Sequence, residues 1–509
     1  MIRLRPYLTA LIILFAISEL IGNASGHTAS AANAANAATS RIQYRWSSIP
    51  QPQAFPSVYT EVDGVLTFRG SAERSAPAYG TVEMKTFTPL KAWSLTTKTS
   101  SWGGGAGWTG QPAIVRWEPD VLQAMNVQDK FKKLKDFTEV IYASLDGYVY
   151  FLELKTGEKT REPLKIGNPI KGSVSVDSRG YPLLYVGEGI PEKGTIGFGL
   201  YSLIDQKRLY YMKGIDSFAK RGWGAFDSSA LFNRFDDTLL VGGENGMFYN
   251  VKLNTAFDAA KKTLTIKPEV SKYRYSIAGN SYQGIENSVA VYGHYAYFAD
   301  NGGSLQAINL MTNTPIWSLP SVDDTDATIV IETENGVPYL YTGTEVDKQG
   351  SKGYAVLRKI NGLTGDVVWK KQYACYTQLG DHPVNGGLLA TPVLGKQAIA
   401  DRVVFTLARY GSFGAGLMVA LDKKTGDELW SWKMQRYAWS SPVDVYDSKG
   451  NASLLQADSA GNVFVVSAMT GQVKGKASLG ANVEASPAVF DDYAVVASRG
   501  GKIFGLKLE

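Results

Sequence analysis

Leu417-Met418-Val419-Ala420-Leu421-Asp422-Lys423-Lys424-Thr425-Gly426-Asp427-Glu428-Leu429-Trp430 reads as a tight hairpin. Met418 to Leu421 is a short apolar strand, Asp422 to Gly426 is a turn in which glycine is free to take positive φ, and Leu429-Trp430 begins the returning strand. An aromatic residue five positions after the threonine closes the unit. The Thr-Gly turn recurs at Thr156-Gly157, Thr364-Gly365 and Thr470-Gly471, with degraded forms at Thr312-Asn313 and Asp205-Gln206. Trp430, Trp369, Trp317 and Tyr210 keep the offset, whereas Arg161 and Gly475 break it.

Upstream of each turn lies a strand, a glycine-containing turn and another strand, as in Ile141 to Tyr150, Val241 to Phe248, Phe298 to Leu305 and Gln456 to Val463. The same pattern closes the sequence at Ser498 to Ile503. Further upstream comes a strand of small residues, plainest in Ser441-Pro442-Val443 and Ser486-Pro487-Ala488. Each unit is therefore four short strands, A to D, repeating every 40 to 60 residues or so, which is the pattern of a β-propeller. Strand A opens near Pro112, Ser173, Ser228, Ser288, Ala327, Ala390, Ser441 and Ser486. The expectation is an all-β, eight-bladed propeller of four-stranded antiparallel blades, with small residues at the crowded axis and tryptophan filling the gaps between blades. The eighth unit has no outer strand, while Leu90 to Leu95 is an outer strand with Trp93 and no inner strands before it. The N-terminal strand should close the ring in the last blade, removing a bare sheet edge.

Residues 1–25 read as an export signal, with Arg3 and Arg5 ahead of the apolar run Tyr7 to Ile17, which is shorter than the roughly 20 residues of a membrane-spanning helix. An uncleaved anchor is the rival reading. Residues 26–64 read as an Ala/Asn-rich spacer and linker, and residues 65–509 as the propeller. Cys375 is the single cysteine, so no internal disulfide forms and packing alone must hold the fold. Without residues 1–40 the net charge falls from +5 to +4, which gives no reason to expect nucleic acid. The expected protein is bacterial and extracytoplasmic (secreted, periplasmic or wall-associated), monomeric, and without a membrane span once the signal is removed.

The Ala-x-Asp-x-x-Thr-Gly-x-x-x-Trp style of repeat, from Ala420 to Trp430, resembles the tryptophan-docking repeat of pyrroloquinoline-quinone-type propellers. Leu66-Thr67-Phe68-Arg69-Gly70 followed by Tyr79-Gly80 is similar to the lead-in of such domains in exported bacterial proteins. The resemblance implies the fold over residues 65–509. For function it implies either a quinoprotein dehydrogenase or a non-catalytic member, such as the lipoprotein of the outer-membrane barrel-assembly machine. Dehydrogenases of the family cover their quinone with a disulfide between adjacent cysteines, bind calcium through Glu, Asn and Asp, and use an Asp as base. That disulfide cannot form here, and Cys-x-x-Cys-His is absent. Glu286-Asn287 offers calcium-type oxygen ligands, but an adjacent acid and amide arise often by chance, and the pair reads first as a polar turn. The lipoprotein's N-terminal tethering cysteine is also missing.

Three histidines, His27, His294 and His382, cannot build a histidine-rich metal centre. Cys375 with His382 reads as a partly buried blade cysteine and a loop histidine rather than a nucleophile pair. No Gly-x-Ser-x-Gly elbow or phosphate-binding Gly-x-x-x-x-Gly-Lys-Ser/Thr occurs. Propeller topology puts the D-to-A and B-to-C loops on one face and the Thr-Gly turns on the other. The candidate ligand-binding residues lie on the first face, just before the A strands: Trp108, Asp227, Glu286, Asn287, Asp326, Asn385, Trp439 and Glu484. Asp324, also before an A strand, and Glu244 and Glu345, at B-to-C turns, add to an acidic surface there. No catalytic residue is assigned and the metal question stays open. The expected role is a non-catalytic binding or scaffold protein of the cell envelope, engaging a protein, an envelope component or a small polar ligand, with no cofactor. The alternative is a dehydrogenase that uses pyrroloquinoline quinone with calcium. The insertion Asp120 to Phe137 should lie on the opposite face as a short helical element, packed on the blades or docking a partner.

Overall fold

The computed structural model describes residues 42–380 and 384–509; the stretches read as an export signal and, up to residue 41, as a spacer, together with His27 and His382, lie outside the described residues. Eight antiparallel sheets follow one another around a ring, each built on four strands in the order A to D, and the fold is an eight-bladed β-propeller. The A strands begin at Ala113, Ser175, Leu231, Ala290, Val330, Val393, Val443 and Ala488, each within three residues of the position expected from sequence. Strand Leu90–Thr96 closes the last blade, pairing antiparallel with Lys502–Lys507 so that Trp93 lies opposite Gly505. Helices Pro119–Ala124 and Asp129–Lys132 fill the predicted insertion, and they pack inward, with Leu122, Met125 and Phe131 buried in the cluster of the first two blades.

The repeat tryptophans couple four of the blades to the next. Trp317, Trp369, Trp430 and Trp93 donate their indole N–H to the carbonyls of Gly362, Lys423, Ala468 and Leu154 in the following blade, at 2.8–3.0 Å. Each ring lies over the glycine of that blade's Thr-Gly turn. At Gly365, which has φ +80°, a Cβ would come within 2.9 Å of the Trp317 ring, so the turn needs glycine for both its backbone and its space. Arg161 proves to be a substitute rather than a break: its Nη1 donates to the Leu203 carbonyl at 2.7 Å, the equivalent acceptor, and its charge is met by fully buried Glu139. At Gly475 the space is taken by the main chain of Phe87.

The small residues of the A strands do more than fit a crowded axis. Ser229, Ser288, Thr328, Thr391 and Ser441 each donate a backbone N–H to the side-chain hydroxyl of the next blade's Ser288, Thr328, Thr391, Ser441 and Ser486, at 2.9–3.2 Å. Gln111 N–H bonds Ser173 in the same way. Hydroxyls thus satisfy backbone donors that point across the blade boundaries and could not otherwise be paired.

The stretch read as a linker in 26–64 and the lead-in behind it are structural. Ile42–Trp46 adds a fifth strand to blade three beside Glu269–Ile277, and the Trp46 indole N–H reaches Asn313 O in blade four. Trp46 supplies the docking tryptophan that blade three lacks in its own repeat; its isolation from any Thr-Gly turn hid it in the sequence. Residues 64–79 then run inside the ring. Gly64–Val65 pairs with blade one and Ala78–Tyr79 with blade eight, and the carbonyls of Leu66, Ala72 and Glu73 accept N–H groups of Val176, Val291 and Ile331 in blades two, four and five. Arg74 donates to Ser229 O in blade three, and Arg69 to Pro392 O and Pro442 O in blades six and seven. Both arginines are fully buried in left-handed backbone, at φ 59° and 61°, which long side chains adopt only when their surroundings fix them.

Candidate functional site in the funnel mouth

On the D-to-A face the ring opens into a cavity of about 180 Å³. Five of the eight residues expected from sequence line it: Trp108, Glu286, Asp326, Trp439 and Glu484, joined by Trp102, Lys171 and Arg499. Trp108 reaches across from the loop before blade one and donates its indole N–H to Leu389 O in the loop before blade six, at 3.0 Å. The Trp439 indole N–H meets Asn385 O at 3.3 Å, so two anchored indoles form an apolar wall. Glu484 is pushed up by burial, with Arg499 Nη1 3.7 Å from its Oε2 pulling the other way. A larger cavity of about 490 Å³ opens on the opposite face; of its three acidic or basic lining residues, Glu332 and Lys396 are engaged by Lys423 and the Ser75 carbonyl, and Glu73 is pushed up by burial.

Behind the cavity the loops assemble two carboxylate triads, each with its oxygens within 4.8 Å of one another. The first joins Asp227 and Glu286 from D-to-A loops with Glu244 from a B-to-C turn. Lys171 ion-pairs with Asp227, Trp223 Nε1 donates to Glu244 at 2.7 Å, and Asn301 Nδ2 donates to Glu286 at 2.7 Å. Burial pushes the Lys171 ammonium down, but the combined fields of Asp227, Glu244 and Glu286 outweigh it and hold the group above its ordinary range. Asp227 is raised to about 6 by burial, against the pull of Lys171.

The second triad is Asp324, Asp326 and Glu345, all buried. Among the described residues no basic side chain forms an ion pair with any of the three. Burial first, then the charges of Asp326 and Glu286, hold Asp324 well above the carboxylate range; burial with Glu286 does the same to Asp326, and burial with Asp326 and Asp324 to Glu345.

Three predicted residues do not line the cavity. Asp227 sits behind it in the first triad. Asn287 uses its amide on backbone, donating to Ala299 O and Thr325 O and accepting from Ala299 N. Asn385 Nδ2 donates to Glu345 Oε2 at 2.9 Å and so orients the second triad. Several other loop acids only fix turns: Asp146 accepts from Tyr148 N and Tyr150 Oη, and Asp458 from Ala460 N and Asn462 N. Lys171 was missed by sequence reasoning. It occupies the loop just before Ser173, the same offset that singled out the acids, and a search for basic residues there would have found it.

No protein-family model matches the chain, and no curated protein matches it. Among solved structures, BamB from Moraxella catarrhalis aligns at 15% identity with a TM-score of 0.50, covering 82% of this chain and 100% of that one. Quinohemoprotein alcohol dehydrogenase from Comamonas testosteroni aligns at 12% identity with a TM-score of 0.56, covering 89% of this chain and 81% of that one. What is shared is the fold. It reaches across proteins of different function, so the reading of this chain rests on its own loops.

Proposed function

We propose that this chain is an exported, non-catalytic β-propeller of the bacterial cell envelope that binds a protein, an envelope component or a small polar ligand in the funnel mouth. One observation carries the reading: carboxylates from several blades converge around an indole-walled cavity that, among the described residues, is lined by two basic side chains, Lys171 and Arg499. Such a site favours a cationic group, or a polyhydroxyl that donates hydrogen bonds to carboxylates while stacking its apolar side on Trp108 or Trp439. Protein-binding and redox propellers share this fold, and two features of the site weigh against the redox alternative. Pyrroloquinoline quinone carries three carboxylates of its own, which the acidic chamber opposes. Asn287, the amide expected to help hold calcium, spends both amide hydrogens on Ala299 O and Thr325 O and turns its oxygen to Ala299 N. Both features favour the binding reading over the quinone.

Tryptophan fluorescence titrations with spermidine, a wall-type glycan and pyrroloquinoline quinone test the proposal in chelator-treated protein. Quenching by the first two, weakened by Trp439→Ala, is expected. Binding confined to the quinone, with calcium-dependent dye reduction lost in Asp326→Asn, would replace it with the redox reading.

A further inference from the structure

We propose that Asp324, Asp326 and Glu345 hold a hard divalent cation of calcium type, and that the neighbouring triad does not, because Lys171 already serves as its cation. The inference deepens the binding reading above and rests on the same face of the molecule. Each member of the second triad has an oxygen with no hydrogen-bond donor: Asp324 Oδ1, Asp326 Oδ1 and Glu345 Oε1. The three residues are 7%, 9% and 0% exposed, so water does not solvate these atoms. Lys348 and Lys171 act on Asp324 and Asp326 without pairing with them, and buried carboxylate oxygens with neither a donor nor a paired cation are costly to keep. A cation that accepts oxygen ligands supplies what all three lack at once.

The spacing agrees. Calcium takes oxygens at about 2.3–2.6 Å, so two ligands on one ion lie up to about 5 Å apart, and the triad's oxygens fall within 4.8 Å of one another. The frame around them is built. Glu345 N–H donates to Asp324 O at 2.8 Å, which ties the B-to-C turn to the D-to-A loop. Asn385 occupies Glu345 Oε2 and leaves Oε1 free to ligate. Asp326 also lines the cavity, giving the ion a path from solvent and a face toward an incoming hydroxyl.

Calorimetry and thermal melting of the chelator-treated full chain with calcium, magnesium and no metal test the assignment. One calcium per chain is expected, with a melting temperature that climbs with calcium concentration and a weaker response to magnesium. Asp324→Asn and Glu345→Gln should each weaken calcium binding at least tenfold without lowering the metal-free melting temperature, because the amide keeps the shape of the buried carboxyl and needs neither a proton nor a counter-charge there. The exposed Thr-Gly-face variant Asp427→Asn should leave calcium binding unchanged. Absence of calcium binding, or a calcium response undiminished in both triad variants, overturns the assignment. Glycan or polyamine binding in chelated protein is a separate readout, so either idea can fail without the other.

Discussion

Trp93→Ala removes the indole that fastens the ring's seam. Trp93 is 9% exposed, packs against Gly157 of blade one and Gly505 of its own blade, and donates to Leu154 O at 2.8 Å. Truncating a packed tryptophan costs about 3–5 kcal/mol, a large share of the 5–15 kcal/mol by which most domains are stable. In a chain of this length, melting entropy accumulates over several hundred residues, so about 1 °C is lost per kcal/mol and the melting temperature should fall by roughly 3–5 °C. Trp317→Ala, at an internal boundary, should lose a similar amount. The seam variant differs locally: strand Leu90–Thr96 is held to the ring by its pairing with Lys502–Lys507 and by this one ring, so it should peel first. Hydrogen exchange of the paired Lys502–Lys507 amides should accelerate in Trp93→Ala and stay near wild type in Trp317→Ala. A melting temperature within a degree of the parent, with those amides still protected, would refute the view that Trp93 fastens the seam.

Arg161→Trp restores the repeat's aromatic, yet it should destabilise by about 3–5 kcal/mol in chemical denaturation, because it strands buried Glu139 without its cation; a stabilised variant would show that the arginine is a mere deviation. Asp300 is lifted to about 6, chiefly by burial, while Tyr275 Oη, Asn280 and Ser304 N donate to it and Lys348 adds a favourable charge. Its folded form holds a proton that the unfolded chain has released, so stability should decline between pH 4 and 6 by at most about 3 kcal/mol and then level off. Asp300→Asn should flatten that limb in pH-dependent melts. Lys171→Met should leave Asp227, Glu244 and Glu286 without their cation, lowering the melting temperature in chelator and making its recovery depend on added calcium.

The fold was legible because its logic repeats. A Thr-Gly turn and an aromatic at fixed spacing mark both the hairpin and the acceptor for the previous blade's indole, so a handful of copies gave blade number, strand order and seam. Trp46 and the inner segment around Arg69 and Arg74 escaped because each occurs once and makes its contacts far away in sequence. At the site, topology alone placed Trp108, Glu286, Asp326, Trp439 and Glu484 together. The pairing of acids into triads was not legible, since it depends on how deeply Glu244 and Glu345 reach from the neighbouring turns. Asp146 and Asp458 look the same in sequence and serve only their own turns.

A ring of blades that touch only their neighbours would behave as a closed chain of links, able to open at the weakest junction while the rest stays folded. The sixteen residues from Gly64 to Tyr79 bond to all eight blades and act as a hub with spokes. A hub makes the blades interdependent: one blade cannot leave without disturbing a strut shared by the other seven. It also sets an order for assembly. The hub precedes nearly every blade in the chain, so it has no surface to bind until the blades arrive, and the last to arrive completes both the rim and the axle.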